Sequence, residues 1–174
     1  MPNWCNFAIK AKGSAEGLAE FSKVMENSAS NKMDTQKTFL ARVYEATCID
    51  TTENTATYSG MCAWSVSTCM MDTPDSYAVR WRNSDAEGEA LPCVISLPEL
   101  AEKLKLELEV FSNEMGMNFA EYYRITADGE VLEDRCVDLA PWPEDEEEQM
   151  DFDPTDGVEF ETENCTVPYG VFTI

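Results

Sequence analysis

The sequence predicts an α+β fold: an antiparallel sheet with two helices on one face, plus an extra hairpin and an acidic extension at the C-terminal end. Three observations carry that expectation. Two segments repeat apolar residues at a helical period behind a serine that can cap them. Several others alternate at the period of a strand, and Asp128-Gly129 stands between two strand-like runs, where a hairpin turns.

The chain supports this element by element. Asn3 to Lys12 alternates loosely, with Cys5, Phe7 and Ile9 opposite Trp4, Asn6 and Ala8, and reads as a first strand. Gly13 ends it. Ser14 caps a helix running to about Asn27, with Leu18, Phe21, Val24 and Met25 on one side. The polar stretch from Asn27 to Asp34 is a loop. Thr38 to Ile49 and Thr55 to Met70 read as strands, the second interrupted at Gly60, with a turn from Asp50 to Asn54. Asp72 to Pro92 reads as a long loop with a short segment around Tyr77 to Trp81. Connections of that length are uncommon and point to a functional role.

The clearest stretch follows. Ser96 and Glu99 have capping-box spacing, Pro98 falls where the helix has no use for its N–H, and Leu97, Leu100, Ala101 and Leu104 form an apolar stripe. The period then switches to two: Leu106, Leu108 and Val110 alternate with Glu107 and Glu109. Phe119 to Thr126 is aromatic and β-branched, Asp128-Gly129 is read as a type I′ turn, and Val131-Leu132 through Leu139 continues the hairpin. Pro141 and Pro143 close the regular part. Residues 1–139 thus form one domain, and 140–174 an acidic extension docked on it. In that extension Val158 to Glu163 alternates as a strand, with Glu159, Glu161 and Glu163 on one face.

Charge limits the function more than any motif does. The formal net charge is −22, and after Arg135 there are 12 acidic residues and no basic one. Direct binding to nucleic acid or to an anionic membrane depends on Lys and Arg and is disfavoured; a basic partner is favoured. No apolar run approaches the length of a membrane span, and no leader-like pattern opens the chain, so a cytoplasmic location is expected. The seven cysteines are scattered without a Cys-x-x-Cys pair, which fits reduced thiols and not a zinc site.

The order strand, helix, strand, strand, helix, strand is that of ferredoxin-like βαββαβ domains. Together with Pro2-Asn3-Trp4-Cys5-Asn6, Gly13 and its helix, and the run from Leu97 to Gly129 containing Glu114-Met115-Gly116-Met117-Asn118-Phe119-Ala120, it resembles the YubB-like proteins of plasmids and phages. The resemblance stops before the acidic extension, and the family's Trp-Gly-x-Lys-Trp element is missing. Thr68-Cys69-Met70 and Pro74 stand where the family has Thr-Ala-Trp followed by prolines. The resemblance implies a ferredoxin-like fold and a mobile-element origin, and it assigns no catalytic residue.

Without histidine there is no His-based acid–base chemistry and no Ser-His-Asp or Cys-His arrangement. No phosphate-cradling loop is present, since Gly13-Ser-Ala-Glu-Gly17 lacks the Lys-Ser/Thr ending. The chain therefore reads as non-catalytic and without a cofactor. Asp151, Asp153, Asp156 and Glu159 form a weak metal candidate that departs from calcium-loop spacing. Trp64, Trp81, Tyr122, Tyr123 and Trp142 suggest a base-stacking platform, but the charge favours core packing for them.

The acidic residues carry the most specific expectation. Same-face carboxylates on a strand recur at about 6.7 Å, close to every second phosphate of a DNA strand at roughly 3.4 Å per step. The expected partner surface comprises Glu107, Glu109, Glu144, Asp145, Glu146, Glu147, Glu148, Asp151, Asp153, Asp156, Glu159, Glu161 and Glu163. The expected function is inhibition of a basic nucleic-acid-binding host protein, of the defence-nuclease kind, by mimicry of DNA or RNA. The alternatives are a small carboxylate-based metal-binding or hydrolytic domain, or an interaction module using the sheet and the 72–92 loop.

Overall fold

A computed structural model of the chain describes residues 3–29, 34–83, 90–144, 149 and 151–174. In order, the elements are β1 (Trp4–Lys12), α1 (Ala15–Ser28), β2 (Phe39–Leu40), β3 (Val43–Thr51), β4 (Thr55–Ala63), α2 (Val66–Met70), α3 (Tyr77–Asn83) and β5 (Val94–Ile95). They continue with α4 (Leu97–Leu104), β6 (Glu107–Glu114), β7 (Phe119–Ile125), β8 (Val131–Asp138), β9 (Glu159–Glu161) and β10 (Thr166–Pro168).

The expected two-helix ferredoxin-like βαββαβ sheet is not what forms. The main sheet has six strands in the order β3-β4-β1-β6-β7-β8, every neighbouring pair antiparallel, and the described residues contain four short helices. Two physical causes separate expectation from structure. First, the 119–138 hairpin is no appendage: β7 pairs with β6 from Leu108↔Ile125 to Glu114↔Phe119, extending the same sheet. Second, the 66–83 stretch, read as strand and loop, forms two short helices. Ser65 caps α2 by accepting from Thr68 N, which outweighs the strand preference of Val66 and Thr68. Ser76 Oγ accepts from Val79 N in the first turn of α3.

Smaller corrections have local causes. Thr38 to Ile49 is split into β2 and β3 at Arg42, whose φ is 55°. The turn at Asp128-Gly129 is not type I′, because Gly129 alone has positive φ, at 79°. Gly129 N donates to Thr126 O, and Thr126 N donates to Glu130 O, as in a three-residue hairpin closed by a left-handed glycine. A Cβ on Gly129 would lie 2.8 Å from Pro98 O, so the bare glycine also lets the turn approach α4.

Alternation along the strands sends side chains to two different layers. One face of the sheet presents Phe7, Ile9, Leu108, Val110, Tyr123 and Ile125 to α1, α4 and α2, which contribute Phe21, Met25, Leu100 and Met70 among others. Both expected helix caps are realised: Ser14 accepts from Gly17 N, and Ser96 and Glu99 complete a capping box. The opposite face presents Phe111 and Tyr122, with Leu139 beside them, and the C-terminal segment folds over them with Phe160 and Val167. That second layer places the acidic residues.

Gly60 marks a tight approach within the sheet. It lies opposite Phe7, and a Cβ there would sit 2.1 Å from Glu45 O and 2.5 Å from Phe7 Cζ. Gly60→Ala is expected to destabilise the fold by about 1–3 kcal/mol through overpacking. A urea midpoint indistinguishable from wild type would show that the β3-β4 pair yields freely.

Candidate functional site

The C-terminal layer is built on one apolar strand residue. Phe160 is fully buried between the exposed Glu159 and Glu161, because a strand turns alternate side chains to opposite sides. Its ring centroid lies 5.5 Å from Tyr122 and 6.0 Å from Phe111. β9 pairs antiparallel with β10 through Phe160↔Val167, and Arg135 Nε on β8 donates to Glu161 O at 2.9 Å. The two carboxylates on β9 are thus displayed from backbone anchored to the sheet. The Glu161 carboxylate also accepts from Thr166 Oγ1, at 3.0 Å to one oxygen and 3.1 Å to the other.

The array is shorter than the alternating sequence suggests. β9 ends at Glu161, and Thr162 turns the chain: its N–H donates to Cys165 O, and its Oγ1 accepts from the N–H groups of Asn164 and Cys165. Glu163 is exposed on that turn and not in line with Glu159 and Glu161, and its N–H donates to Glu133. Asp151, Asp153 and Asp156 are exposed on the loop leading into the hairpin, and Glu144 is exposed before it. Asp145, Glu146, Glu147 and Glu148 lie outside the described residues, as do positions 84–89 of the 72–92 loop.

Asp153 accepts from Thr155 Oγ1 and from Thr155 N, and these bonds hold its carboxyl below the ordinary aspartate value. Among the described residues no group of three or more Asp, Glu, Cys or His is placed to hold a metal ion, so the Asp151, Asp153, Asp156 and Glu159 candidate is not assembled as a site.

Glu109 must be removed from the expected partner surface. It points to the second face of β6, where it is fully buried. Its carboxylate accepts from Tyr122 Oη at 2.9 Å, from Thr173 Oγ1 at 3.0 Å, from Ile174 N at 3.1 Å and from Thr173 N. The residue therefore fastens the chain's last two residues to the sheet. Period-two alternation assigned it correctly to the face opposite Leu108 and Val110. That face is covered by the tail, however, and not by water. Glu107, one turn of the pleat away, is half-buried opposite Lys12 of β1.

Sequence reasoning missed a second buried carboxylate, Glu121. It accepts from Val66 N at 2.9 Å, Ser67 N at 3.3 Å, Ser112 Oγ at 2.6 Å and Tyr123 Oη at 3.0 Å. It thereby ties the start of α2 to the sheet. The signal was present: Glu121 shares its strand face with Phe119, Tyr123 and Ile125, and an acid in an apolar row must be paired. Among the aromatics, Tyr122 and Tyr123 are core residues, whereas Trp64 and Trp142 are exposed.

Burial pushes the Glu121 carboxyl above the ordinary glutamate value of 4.5, against the opposing pull of its hydrogen-bond donors. A carboxyl with a raised folded-state pKa holds its proton more tightly in the folded chain. Its contribution to stability therefore falls as pH rises from 4.5 through the raised value. Relief of repulsion among the −22 charges acts in the same direction on acidification. The urea midpoint of the wild type is expected to rise as pH falls from neutral towards 5, and Glu121→Gln to flatten part of that rise. A wild-type midpoint that falls over this interval would contradict the assignment.

No helix among the described residues is long and apolar enough to cross a membrane. Comparison with protein-family models, curated proteins and solved structures yields no match.

Proposed function

We propose that this chain is a non-catalytic acidic binding protein of a phage or plasmid, one that occupies the nucleic-acid-binding surface of a basic host protein of the defence-nuclease kind. One observation carries this reading. Glu159 and Glu161 project from a strand pinned through Phe160 and Arg135, so their negative charge has a set position on the surface. Carboxylates ordered in advance meet a Lys- and Arg-lined channel without a large loss of side-chain and loop entropy on binding. The surrounding negative field speeds the encounter. Asp151, Asp153, Asp156 and Glu163 add charge on the loops at either end of β9. The resemblance to mobile-element proteins agrees with this use.

The test begins with the immobilised chain in host lysate, washed at low and then at physiological salt. A retained nucleic-acid-binding protein is next challenged with duplex DNA. The chain is expected to compete with the DNA, and the Glu159→Lys, Glu161→Lys, Glu163→Lys triple variant to compete at least tenfold more weakly, a loss of about 1.4 kcal/mol. Equal competition by the triple variant would remove the mimicry reading.

A further inference from the structure

Among the described residues, the second face of the sheet is only half covered. The C-terminal layer lies over Phe111 and Tyr122 of β6 and β7, while Trp4 of β1 is left 49% exposed on the open part of that face. Tyr44, 38% exposed, meets Trp4 edge-on with ring centroids 4.6 Å apart. Trp64, 41% exposed, follows directly on Ala63, the register partner of Trp4, and its N–H donates to Asn3 O at 2.9 Å. Three large aromatic residues therefore stand exposed at one end of one sheet.

The backbone holds this corner in unusual conformations. Trp64 has φ of 66° and Arg42 has φ of 55°, a region that bulky side chains seldom enter. Arg42 Nη2 donates to Tyr44 Oη at 3.1 Å, and the guanidinium lies 4.7 Å from the centre of the Tyr77 ring. These contacts hold the Tyr44 phenol in place.

The acidic loop adjoins this patch on the same face. Asn6 Nδ2, two residues along β1 from Trp4, donates to Asn113 Oδ1 at 3.4 Å, and Asn113 Nδ2 donates to Tyr169 Oη at 2.6 Å. Tyr169 in turn borders the pocket lined by Asp153, Asp156 and Glu159. An aromatic centre with a charged rim is the anatomy of a protein-binding surface, where a few Trp, Tyr and Arg residues carry most of the affinity.

The geometry points to Trp4, Tyr44 and Trp64 as the energetic centre of a docking surface for a basic protein partner, whose Lys or Arg side chains lie over the indole faces while the neighbouring carboxylates supply steering. The negative face of an indole attracts a cation, and the acidic rim selects a basic partner over an acidic or purely apolar one. This inference rests on the proposed acidic reading for the charge of the partner. It differs in placing the source of slow dissociation in the aromatic residues.

An octa-arginine peptide is the probe, titrated calorimetrically at physiological ionic strength against wild type, Trp4→Ala/Trp64→Ala, Trp142→Ala and the triple Lys variant at 159, 161 and 163. Trp4→Phe/Trp64→Phe is included because it keeps an aromatic ring at each position if the alanine pair unfolds. Affinity is expected to fall about tenfold for the alanine pair and less for the phenylalanine pair, and to stay unchanged for Trp142→Ala. Unchanged affinity in both tryptophan pairs, with loss in the triple variant, would overturn the aromatic centre and leave the acidic reading standing. Loss in the tryptophan pairs alone would keep the aromatic centre and overturn steering by the carboxylates at 159, 161 and 163. No saturable binding by wild type would overturn both. Quenching of the indoles by oligothymidylate, with no response to octa-arginine, would make the patch a base-stacking platform and overturn the protein-docking assignment.

Discussion

Glu121→Ala is expected to lower the free energy of unfolding by about 3–5 kcal/mol, because it leaves buried donors without an acceptor. The groups at stake are Val66 N and Ser112 Oγ, both buried, with Ser67 N and Tyr123 Oη beside them. Glu121 itself is only 3% exposed, so the truncation is made in the interior. The damage should concentrate in α2, a five-residue helix too short to hold without that acceptor. Urea unfolding gives the magnitude, and amide exchange gives the location. A loss below about 1 kcal/mol, or full protection of the α2 amides, would show that Ser65 alone is sufficient as a cap.

Phe160→Ala is expected to cost the docking of the C-terminal layer about 3–5 kcal/mol, the usual range for deleting a buried aromatic ring. The ring is fully buried and lies within 6.5 Å of the Tyr169 ring as well as close to Phe111 and Tyr122, so a single truncation removes the centre of the second hydrophobic cluster. Amides of β9 and β10 should exchange faster while those of β1 and β6 keep their protection, a local opening rather than global unfolding. Competition with DNA for the basic partner should weaken along with it, since Glu159 and Glu161 lose their fixed positions without losing their charge. If the hairpin amides stay protected in this variant, the layer is held by Val167 and the Glu109 contacts instead. If binding survives the opening of the hairpin, charge alone, and not its placement, would account for the interaction.

Legibility in the sequence differed sharply from one feature to the next. The caps of α1 and α4 could be read, because Ser14 and the Ser96–Glu99 box act within one turn of their own helices. The strand alternation of Leu106 to Val110 was equally plain. The sheet's full extent was not, because alternation names the two faces of a strand and not its neighbours, and β7 pairs with β6 across the 115–118 turn as well as with β8. The helices at 66–83 were hidden for a similar reason: their sequence is rich in Ser, Thr and Val, and part of what stabilises α2 is a carboxylate 55 residues away. Of the acidic residues, only position in the fold could separate Glu109 and Glu121, which are internal struts, from Glu159 and Glu161, which are surface.

What the amino-acid order settled by itself was local or summed: the caps of α1 and α4, the strand period from Leu106 to Val110, the place of the Asp128-Gly129 turn and a charge of −22 with its excess after Arg135. Such properties depend on near neighbours or on no neighbours at all. What only the tertiary structure decided was which acids face water, which aromatic residues stay exposed, and how far the sheet extends. Those follow from which face of each strand another layer covers. The period of a strand names two faces but cannot say which is buried, or whether both are.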